Sequence, residues 1–420
     1  MSYGEVIETS TQRLRNLTQK GSTIVGYLYP HTPIELLMAH GLTPSLMRVN
    51  PSATAGFEDS LQTFSCSFTR NMYSQRANGE LSSLSGVLFP GNTCDALQNV
   101  ADVWRYRFPD DKILRVTYPA TTQTEHAVDF LANELRILSE NITETFGTSI
   151  SATELSDAAS LVNDFREIMQ FLYAARVYDS NVISYTELVG MLRDFLTAPE
   201  RGIVDDMEDR FRSVRQILEI NGHLKSADLL KDGLLRRDLE KVVVPIPQDG
   251  PKIVIAGGMI EPQAIASLVN DLDGVSDSII ALDLLSFGYK TVFTPKTLIP
   301  PNQKGPKPIG SAPEPHYEGP FKAIARAILG APLEPTQEGL SDRLAFLRQL
   351  FVKVGANGLV VCEQSFCDPD EFEAPSLEKA AEDVGIPSLR FPIDPELSDR
   401  GRLEGRLQTF LETIEDREVG

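Results

Sequence analysis

Short apolar runs alternate with segments of helical periodicity over the first 150 residues of the chain. Apolar runs of this length are typical of buried strands, whereas amphipathic helices need longer segments. Alternation of strands and helices predicts a mostly parallel sheet covered by helices. The predicted strands are TIVGYLY (23–29), SLMRV (45–49), GVLFP (86–90) and KILRVTY (112–118), and the clearest helix is TEHAVDFLANELRIL (124–138).

The pattern becomes helical throughout between residues 151 and 245. Two Ser-x-x-Glu sequences, at 151–154 and 184–187, have the form of capping boxes at helix starts. A third helical segment, MEDRFRSVRQILEI, is stopped by an Asn-Gly pair at 221–222. We therefore predict a helical segment over 151–245.

Alternation of strands and helices returns from residue 246 onward. The predicted strands are KIVIAGG (252–258), SIIAL (278–282), NGLVVCEQ (357–364) and SLRFP (388–392). The predicted helices are EPQAIASLVNDL (261–272), FKAIARAILG (321–330), LSDRLAFLRQLFVKVG (340–355), SLEKAAEDVG (376–385) and RGRLEGRLQTFLETIED (400–416). The expected fold class is α/β, with two Rossmann- or flavodoxin-like parallel-sheet domains (1–150 and 246–420) and the helical segment between them.

A proline-rich stretch interrupts the second α/β region. Residues 295–320 contain eight prolines. A loop of this length is either functional, for example as an arm that reaches a partner, or a tolerated surface insertion.

The charge balance narrows the classes of partner. The chain has 39 basic and 59 acidic residues, and its net charge is −20. This charge argues against nucleic acid and against an anionic membrane surface as partners. No apolar run approaches the roughly 20 residues of a membrane span, and the N-terminus lacks the apolar core of a signal peptide. We therefore expect a cytoplasmic protein.

The cysteines are the residues most able to carry chemistry. Cys94 and Cys367 follow predicted strands, and Cys66 stands at the apparent start of a helix, whereas Cys362 lies within a strand. Strand ends form the binding crevice of open α/β sheets, and a helix N-terminus stabilises a thiolate. Three converging thiolates suit zinc or an iron–sulfur cluster, whereas scattered cysteines are often inert and buried.

Four acidic side chains surround the last two cysteines, which raises a question about the charge of Cys367. Like charge raises the pKa of a thiol, so a thiolate here needs a compensating cation such as a bound metal. The four acidic residues are Glu363, Asp368, Asp370 and Glu371.

Five stretches, in order, resemble the 2-hydroxyacyl-CoA dehydratase and benzoyl-CoA reductase subunit family. Within the helical stretch, Asn163 and Arg166 fall in the matching pattern. The stretches are VGYLYPHTPIELLMAHGLTPSLMRV, LQTFSCSFTR, GNTCDAL, ISATELSDAASLVNDFREIMQFLY and ANGLVVCEQSFCDPDEFEAPSLEKAAEDVGIPSLRFPID.

The resemblance implies a [4Fe–4S] cluster held by Cys66, Cys94 and Cys367, with Cys362 outside the pattern. It also implies a second related subunit and a separate ATP-dependent iron–sulfur activator that injects an electron. The implied reaction is elimination of water from an (R)-2-hydroxyacyl-CoA to an enoyl-CoA through a ketyl radical. A benzoyl-CoA reductase-type subunit is one alternative. An electron-relay subunit that does not itself bind substrate is another.

Beside the cysteines, His31 is the candidate acid/base or substrate contact, because it follows the first strand. A surface or turn histidine is the alternative. Thr32 and Glu35 have the spacing of a further capping box. The Gly257–Gly258 pair after a strand is a candidate contact for CoA phosphates, although a tight turn also explains it.

Overall fold

The N-terminal residues form a four-stranded parallel sheet with the order β2-β1-β3-β4. In the computed structural model, which describes residues 3–242, 251–299, 319–394, 397 and 399–419, this sheet is built from all four strands expected there. The strands are β1 (Ile24–Tyr27), β2 (Thr43–Leu46), β3 (Gly86–Gly91) and β4 (Ile113–Thr117). The helices are α1 (Tyr3–Gln19), α2 (Ile34–Ala39), α3 (Ser67–Ala77), α4 (Asp95–Arg107) and α5 (Glu125–Phe146).

A second parallel sheet has the same internal order, β6-β5-β7-β8. Its strands are β5 (Ile253–Gly257), β6 (Ile280–Leu284), β7 (Gly358–Gln364) and β8 (Ser388–Ile393). Its helices are α10 (Pro262–Asn270), α11 (Pro320–Leu329), α12 (Leu340–Val354), α13 (Asp368–Glu382) and α14 (Arg400–Val419). Both sheets have the flavodoxin-like strand order. The order in which strands are added therefore switches from one side of the sheet to the other between β1 and β3 in the first sheet, and between β5 and β7 in the second. The predicted fold class is confirmed.

Four helices connect the two sheets. They are α6 (Ala152–Tyr178), α7 (Tyr185–Thr197), α8 (Arg201–Ile220) and α9 (Leu224–Arg236). Helix α6 contacts α2 on one side and β6 on the other, so its C-terminal half is buried around its whole circumference. The domain boundary at 150 stays a prediction, and the boundary at 245 lies outside the described residues.

The capping box predicted for α6 is found, whereas α7 starts at the predicted position with only one of the two bonds of a capping box. Ser151 and Glu154 form both reciprocal bonds at the start of α6. At the start of α7, Ser184 accepts a bond from the backbone of Glu187 at 3.1 Å, and the Glu187 carboxylate pairs with Arg210. These local signals correctly placed both helix starts.

The capping box predicted at Thr32 and Glu35 is wrong. Helix α2 begins at Ile34, and the Thr32 hydroxyl donates to the Tyr29 carbonyl at 2.7 Å. Glu35 Oε1 accepts a hydrogen bond from the Thr297 hydroxyl at 2.9 Å. Thr297, which is distant in the sequence, therefore binds the carboxylate that the local pattern had assigned to the start of the helix.

Asn163 and Arg166 on α6 hold the beginning of the proline-rich stretch. Asn163 exchanges two hydrogen bonds with the backbone of Thr297, at 2.8 and 2.9 Å. Arg166 is buried and reaches the Pro295 carbonyl at 3.5 Å. The resemblance singled out these two residues, and their contacts here anchor a chain segment. Residues 300–318 of the proline-rich stretch lie outside the described residues.

No helix in the described part of the chain is long and apolar enough to cross a membrane.

Candidate functional site

The three cysteines expected to act together cap three different helices. Cys66 precedes α3, Cys94 precedes α4 and Cys367 precedes α13, each as the N-cap residue. All three line one cavity of about 520 Å³ between the two α/β regions. The prediction that these cysteines lie at strand ends or helix starts is confirmed, although about 300 residues separate Cys66 from Cys367.

Backbone conformation aims two of these cysteines into the cavity. Asn92 (φ 57°) stands two residues before Cys94, and Phe366 (φ 61°) stands one residue before Cys367. Left-handed conformations are uncommon for residues other than glycine and need support. The Asn92 amide donates to the Tyr118 carbonyl at 2.8 Å, and the Phe366 ring lies 5.6 Å from the Arg70 guanidinium. Both strained turns follow the central strands of their sheets.

Hydrogen bonding and burial set the thiol acidities. Hydrogen bonding between the two thiols lowers the pKa of Cys66 and raises the pKa of Cys367. Burial raises the pKa of Cys94 to about 12. The protein alone therefore stabilises at most one thiolate in this cavity, and a second or third needs a cation.

The acidic residues around Cys367 differ in their surroundings. Glu363 pairs with Arg390, and Asp368 and Glu371 are exposed. Asp370 is buried against Cys367, and burial raises the pKa of its carboxyl to about 7. Of the four carboxylates, Asp370 is thus the one that acts on the cysteine directly.

Helix α13 begins earlier than predicted. It starts at Asp368 instead of near residue 376 and contains Pro375. Three acidic residues in its first turn favour a helix N-terminus through the helix dipole. This early start makes Cys367 an N-cap instead of a loop residue.

Cys362 and Gly258 are buried beside the cavity, whereas Gly257 is half-buried. Cys362 is fully buried in β7, and burial raises the pKa of its thiol. A Cβ atom on Gly258 would lie 2.4 Å from Asp370 Oδ1. Close packing against Asp370 therefore explains Gly258, and a contact with CoA phosphates stays a prediction.

His31 is buried behind the cavity wall and lies in a turn after β1, so of the alternative of a surface or turn histidine only the surface position is wrong. Its Nε2 lies 3.5 Å from Glu334 Oε1, and its side chain is 2% exposed. The residues that line the cysteine cavity include Thr336 but not His31. Its role as an acid/base stays a prediction.

Glu334 is a buried residue that the sequence did not reveal. Its Oε2 accepts hydrogen bonds from Ser286 Oγ at 2.7 Å and from Lys290 Nζ at 3.0 Å. Burial opposes its ionisation, but Lys290, His31 and Ser286 together lower the pKa of the carboxyl to about 2. An isolated glutamate between two prolines (PLEP, 332–335) has no periodicity that distinguishes it from a solvated one.

The arrangement of donors does not suit a single metal ion. Within the described residues, no three His, Cys, Asp or Glu side chains are grouped so that they could hold one ion. Zinc needs its sulfur ligands about 2.3 Å from one point. The cysteines instead surround a cavity that is large enough for a multi-atom group.

The fold and cavity define a two-sheet α/β protein with a three-cysteine pocket at the sheet switch points. The sequence profile of the family described as 2-hydroxyglutaryl-CoA dehydratase, D-component, matches residues 30–414. The chain belongs to this family. Membership confirms the predicted resemblance and the prediction of a hydro-lyase, as a 2-hydroxyacyl-CoA dehydratase subunit.

Three characterised relatives align with nearly the whole chain. The (R)-phenyllactyl-CoA dehydratase beta subunit of Clostridium sporogenes is 19% identical over 98% of this chain and 97% of its own. The lactoyl-CoA dehydratase subunit beta of Anaerotignum propionicum is 22% identical over 94% and 93%. The (R)-2-hydroxyglutaryl-CoA dehydratase subunit beta of Acidaminococcus fermentans is 22% identical over 98% of both chains.

Proposed function

We propose that this chain is the [4Fe–4S]-binding subunit of an (R)-2-hydroxyacyl-CoA dehydratase, with Cys66, Cys94 and Cys367 as cluster ligands. One observation carries the proposal: three cysteines from distant parts of the chain cap three helices around one cavity. Each helix N-terminus favours a thiolate through its dipole and free N–H groups.

The thiol acidities support a cationic occupant. The pKa values of Cys94 and Cys367 are raised, so these thiols need added positive charge to ionise. Iron supplies such charge. When bound, a cluster with three thiolate ligands supplies electron transfer at low potential and one iron position open to a small ligand. Cys362 is fully buried within β7, which supports its absence from the proposed ligand set.

The proposed reaction removes water from an (R)-2-hydroxyacyl-CoA and gives an enoyl-CoA through a ketyl radical. The names of the three relatives specify phenyllactyl, lactoyl and 2-hydroxyglutaryl groups, and all three relatives are beta subunits. We therefore propose that the chain forms a heterodimer with a second, related subunit. An ATP-dependent iron–sulfur activator is the proposed electron donor.

An electron-relay subunit is the second candidate. The relatives are beta subunits, and His31, the acid/base nominated from the sequence, lies behind the cavity wall. If the chain relays electrons, the isolated chain binds no 2-hydroxyacyl-CoA, and His31→Gln in the heterodimer leaves the KM unchanged. Binding of the thioester by the isolated chain contradicts the relay function.

Analysis of iron and sulfide after anaerobic purification tests the cluster directly. We expect about four irons and four sulfides per chain, as a [4Fe–4S] cluster requires. Cys66→Ala, Cys94→Ala and Cys367→Ala each lose them. Cys362→Ala is the matched control and retains them. Zinc without sulfide, or equal loss in the control, contradicts the proposal.

A product assay separates the dehydratase from a benzoyl-CoA reductase-type subunit. The dehydratase gives an enoyl-CoA from a 2-hydroxyacyl-CoA, whereas the reductase gives a dienoyl-CoA from an aromatic thioester. Formation of the dienoyl product by the heterodimer with its activator contradicts the proposed reaction.

A further inference from the structure

A buried group of polar side chains lies behind the wall of the cysteine cavity. We call this group the histidine cluster and define it as Tyr29, His31, Lys290 and Glu334. All four residues are at most 8% exposed. They come from the loop after β1, from the π-turn Ser286–Lys290 and from the segment after α11. The proposed cluster ligands do not include any of them, so their burial needs another explanation.

Glu334 is the fixed negative charge of the histidine cluster. Two hydrogen bonds occupy its Oε2, and its pKa of about 2 keeps it ionised at neutral pH. Its Oε1 has no hydrogen-bond partner among the described residues and faces His31 Nε2 at 3.5 Å. A buried carboxylate oxygen is thus held beside an imidazole at slightly more than bonding distance.

Neither ring nitrogen of His31 has a hydrogen-bond partner among the described residues. Leaving a buried polar group unpaired is unfavourable, so such groups need an explanation. Protonation makes both nitrogens donors and pairs the ring with Glu334. The Tyr29 ring meets the imidazole edge-on at 5.5 Å, and the Tyr118 hydroxyl donates to the His31 carbonyl at 3.1 Å.

The histidine cluster lies close to the cysteine cavity. Pro335 and Thr336, which directly follow Glu334, line the cysteine cavity. Burial and the charges of Glu334 and Cys94 raise the pKa of the Tyr29 phenol. The histidine cluster therefore adjoins the cysteine cavity through the segment after Glu334. A charge added in the cavity acts on His31 through protein of low dielectric constant, where electrostatic effects are strong.

We propose that His31 takes up one proton when one electron enters the group held by the cysteines, and that Glu334 and Lys290 are positioning residues for this uptake. The inference rests on the proposed function. The electron comes from an external one-electron reductant, and the proton comes from solvent and binds one ring nitrogen. An added negative charge nearby favours the imidazolium, so the two events stabilise each other.

The midpoint potential of the full-length, iron-loaded chain, measured by EPR during titration with dithionite at several pH values, tests this coupling. We expect the native potential to rise as the pH falls, by at most about 59 mV for each tenfold increase in proton concentration. His31→Gln removes this dependence. The control His223→Gln keeps it, because His223 pairs with Tyr178 in the helical segment.

If His31→Gln keeps both the native iron content and the native pH dependence of the midpoint potential, the inference about His31 is overturned but the proposed function is not. If His31→Gln binds no iron, the Glu334→Gln variant is the test. Loss of the negative charge of Glu334 is expected to shift the pH range in which the midpoint potential varies to lower pH. An unshifted range overturns the inference. A native chain that binds no iron and sulfide overturns the proposed function as well. The two failures are therefore distinguishable.

Discussion

Arg48 Nη1 lies 2.5 Å from Glu261 Oε2, and both side chains are buried where the loop after β2 meets the N-cap of α10. The Arg48 guanidinium also donates to the Arg193 carbonyl at 3.1 Å. The pair thereby connects the first α/β region, the helical segment and the second α/β region.

Breaking this ion pair from one side is expected to destabilise the whole chain. Burial raises the pKa of Glu261, against the attraction of Arg48. Arg48→Met leaves a buried carboxylate unpaired and is expected to lower the free energy of unfolding by about 3–5 kcal/mol. Arg48→Met/Glu261→Met removes both charges and is expected to recover much of this loss. Urea unfolding measures both, and equal losses in the single and double variants contradict the prediction.

Gly258→Ala is expected to destabilise the metal-free chain by about 1–3 kcal/mol through overpacking. The new Cβ meets Asp370 Oδ1 at 2.4 Å, and Asp370 is itself buried. Asp370→Ala in the same chain removes the clash and is expected to reduce the loss. The control is Gly190→Ala in α7, where nothing lies within 4 Å and a gain of about 0.5–1 kcal/mol is expected. If Gly258→Ala has the same thermal unfolding midpoint as the native chain, the predicted clash is refuted.

His40 gives a prediction for the pH dependence of stability. Its ring nitrogens lie 2.9 Å from the Ser139 and Thr148 hydroxyls. Burial lowers the pKa of His40 below its ordinary value of 6.5, and Glu154 opposes this shift. Because the folded chain binds the proton more weakly than the unfolded chain, protonation favours unfolding. The stabilisation of the folded chain by the neutral His40 ring is complete above about pH 6.5. It is lost as the pH falls from there toward the folded-state pKa of His40.

The check is urea unfolding of native, His40→Gln and His126→Gln chains between pH 5 and 8. The stability difference between the native chain and His40→Gln is expected to shrink as the pH falls. His126 is exposed and serves as the matched control, with a difference that does not vary in this way. A constant difference for His40→Gln contradicts the prediction.

Local sequence patterns located the parts of the fold that depend on near neighbours. Each of the eight apolar runs predicted as a strand corresponds to a strand of the structure, because side-chain alternation and burial are set within each run. Cys66 and Cys94 were placed at helix starts for the same reason, whereas Cys367 was placed only after a strand, because the early start of α13 was not predicted. How close the cysteines come together was inferred only through the resemblance to a family.

Contacts between distant residues could not be predicted in this way. Glu35 had a correct local spacing, but Thr297 binds its carboxylate across 262 positions. Glu334 depends on His31 and Lys290, and no single window of sequence contains all three. A buried charge can be distinguished from a solvated one only when its partners are known, so this part of the site needed the structure.

Asn163→Ala is expected to release the start of the proline-rich stretch. The Asn163 amide satisfies both the N–H and the carbonyl of Thr297, so its removal leaves two backbone groups unpaired at a cost of about 1–3 kcal/mol each. Hydrogen exchange at the Thr297 amide is expected to become faster. Ser156→Ala on the same helix removes one bond to the Ile299 carbonyl and is the control, with Thr297 exchange unchanged. Equal acceleration in both variants indicates general loosening of α6 and contradicts a specific anchor at Asn163.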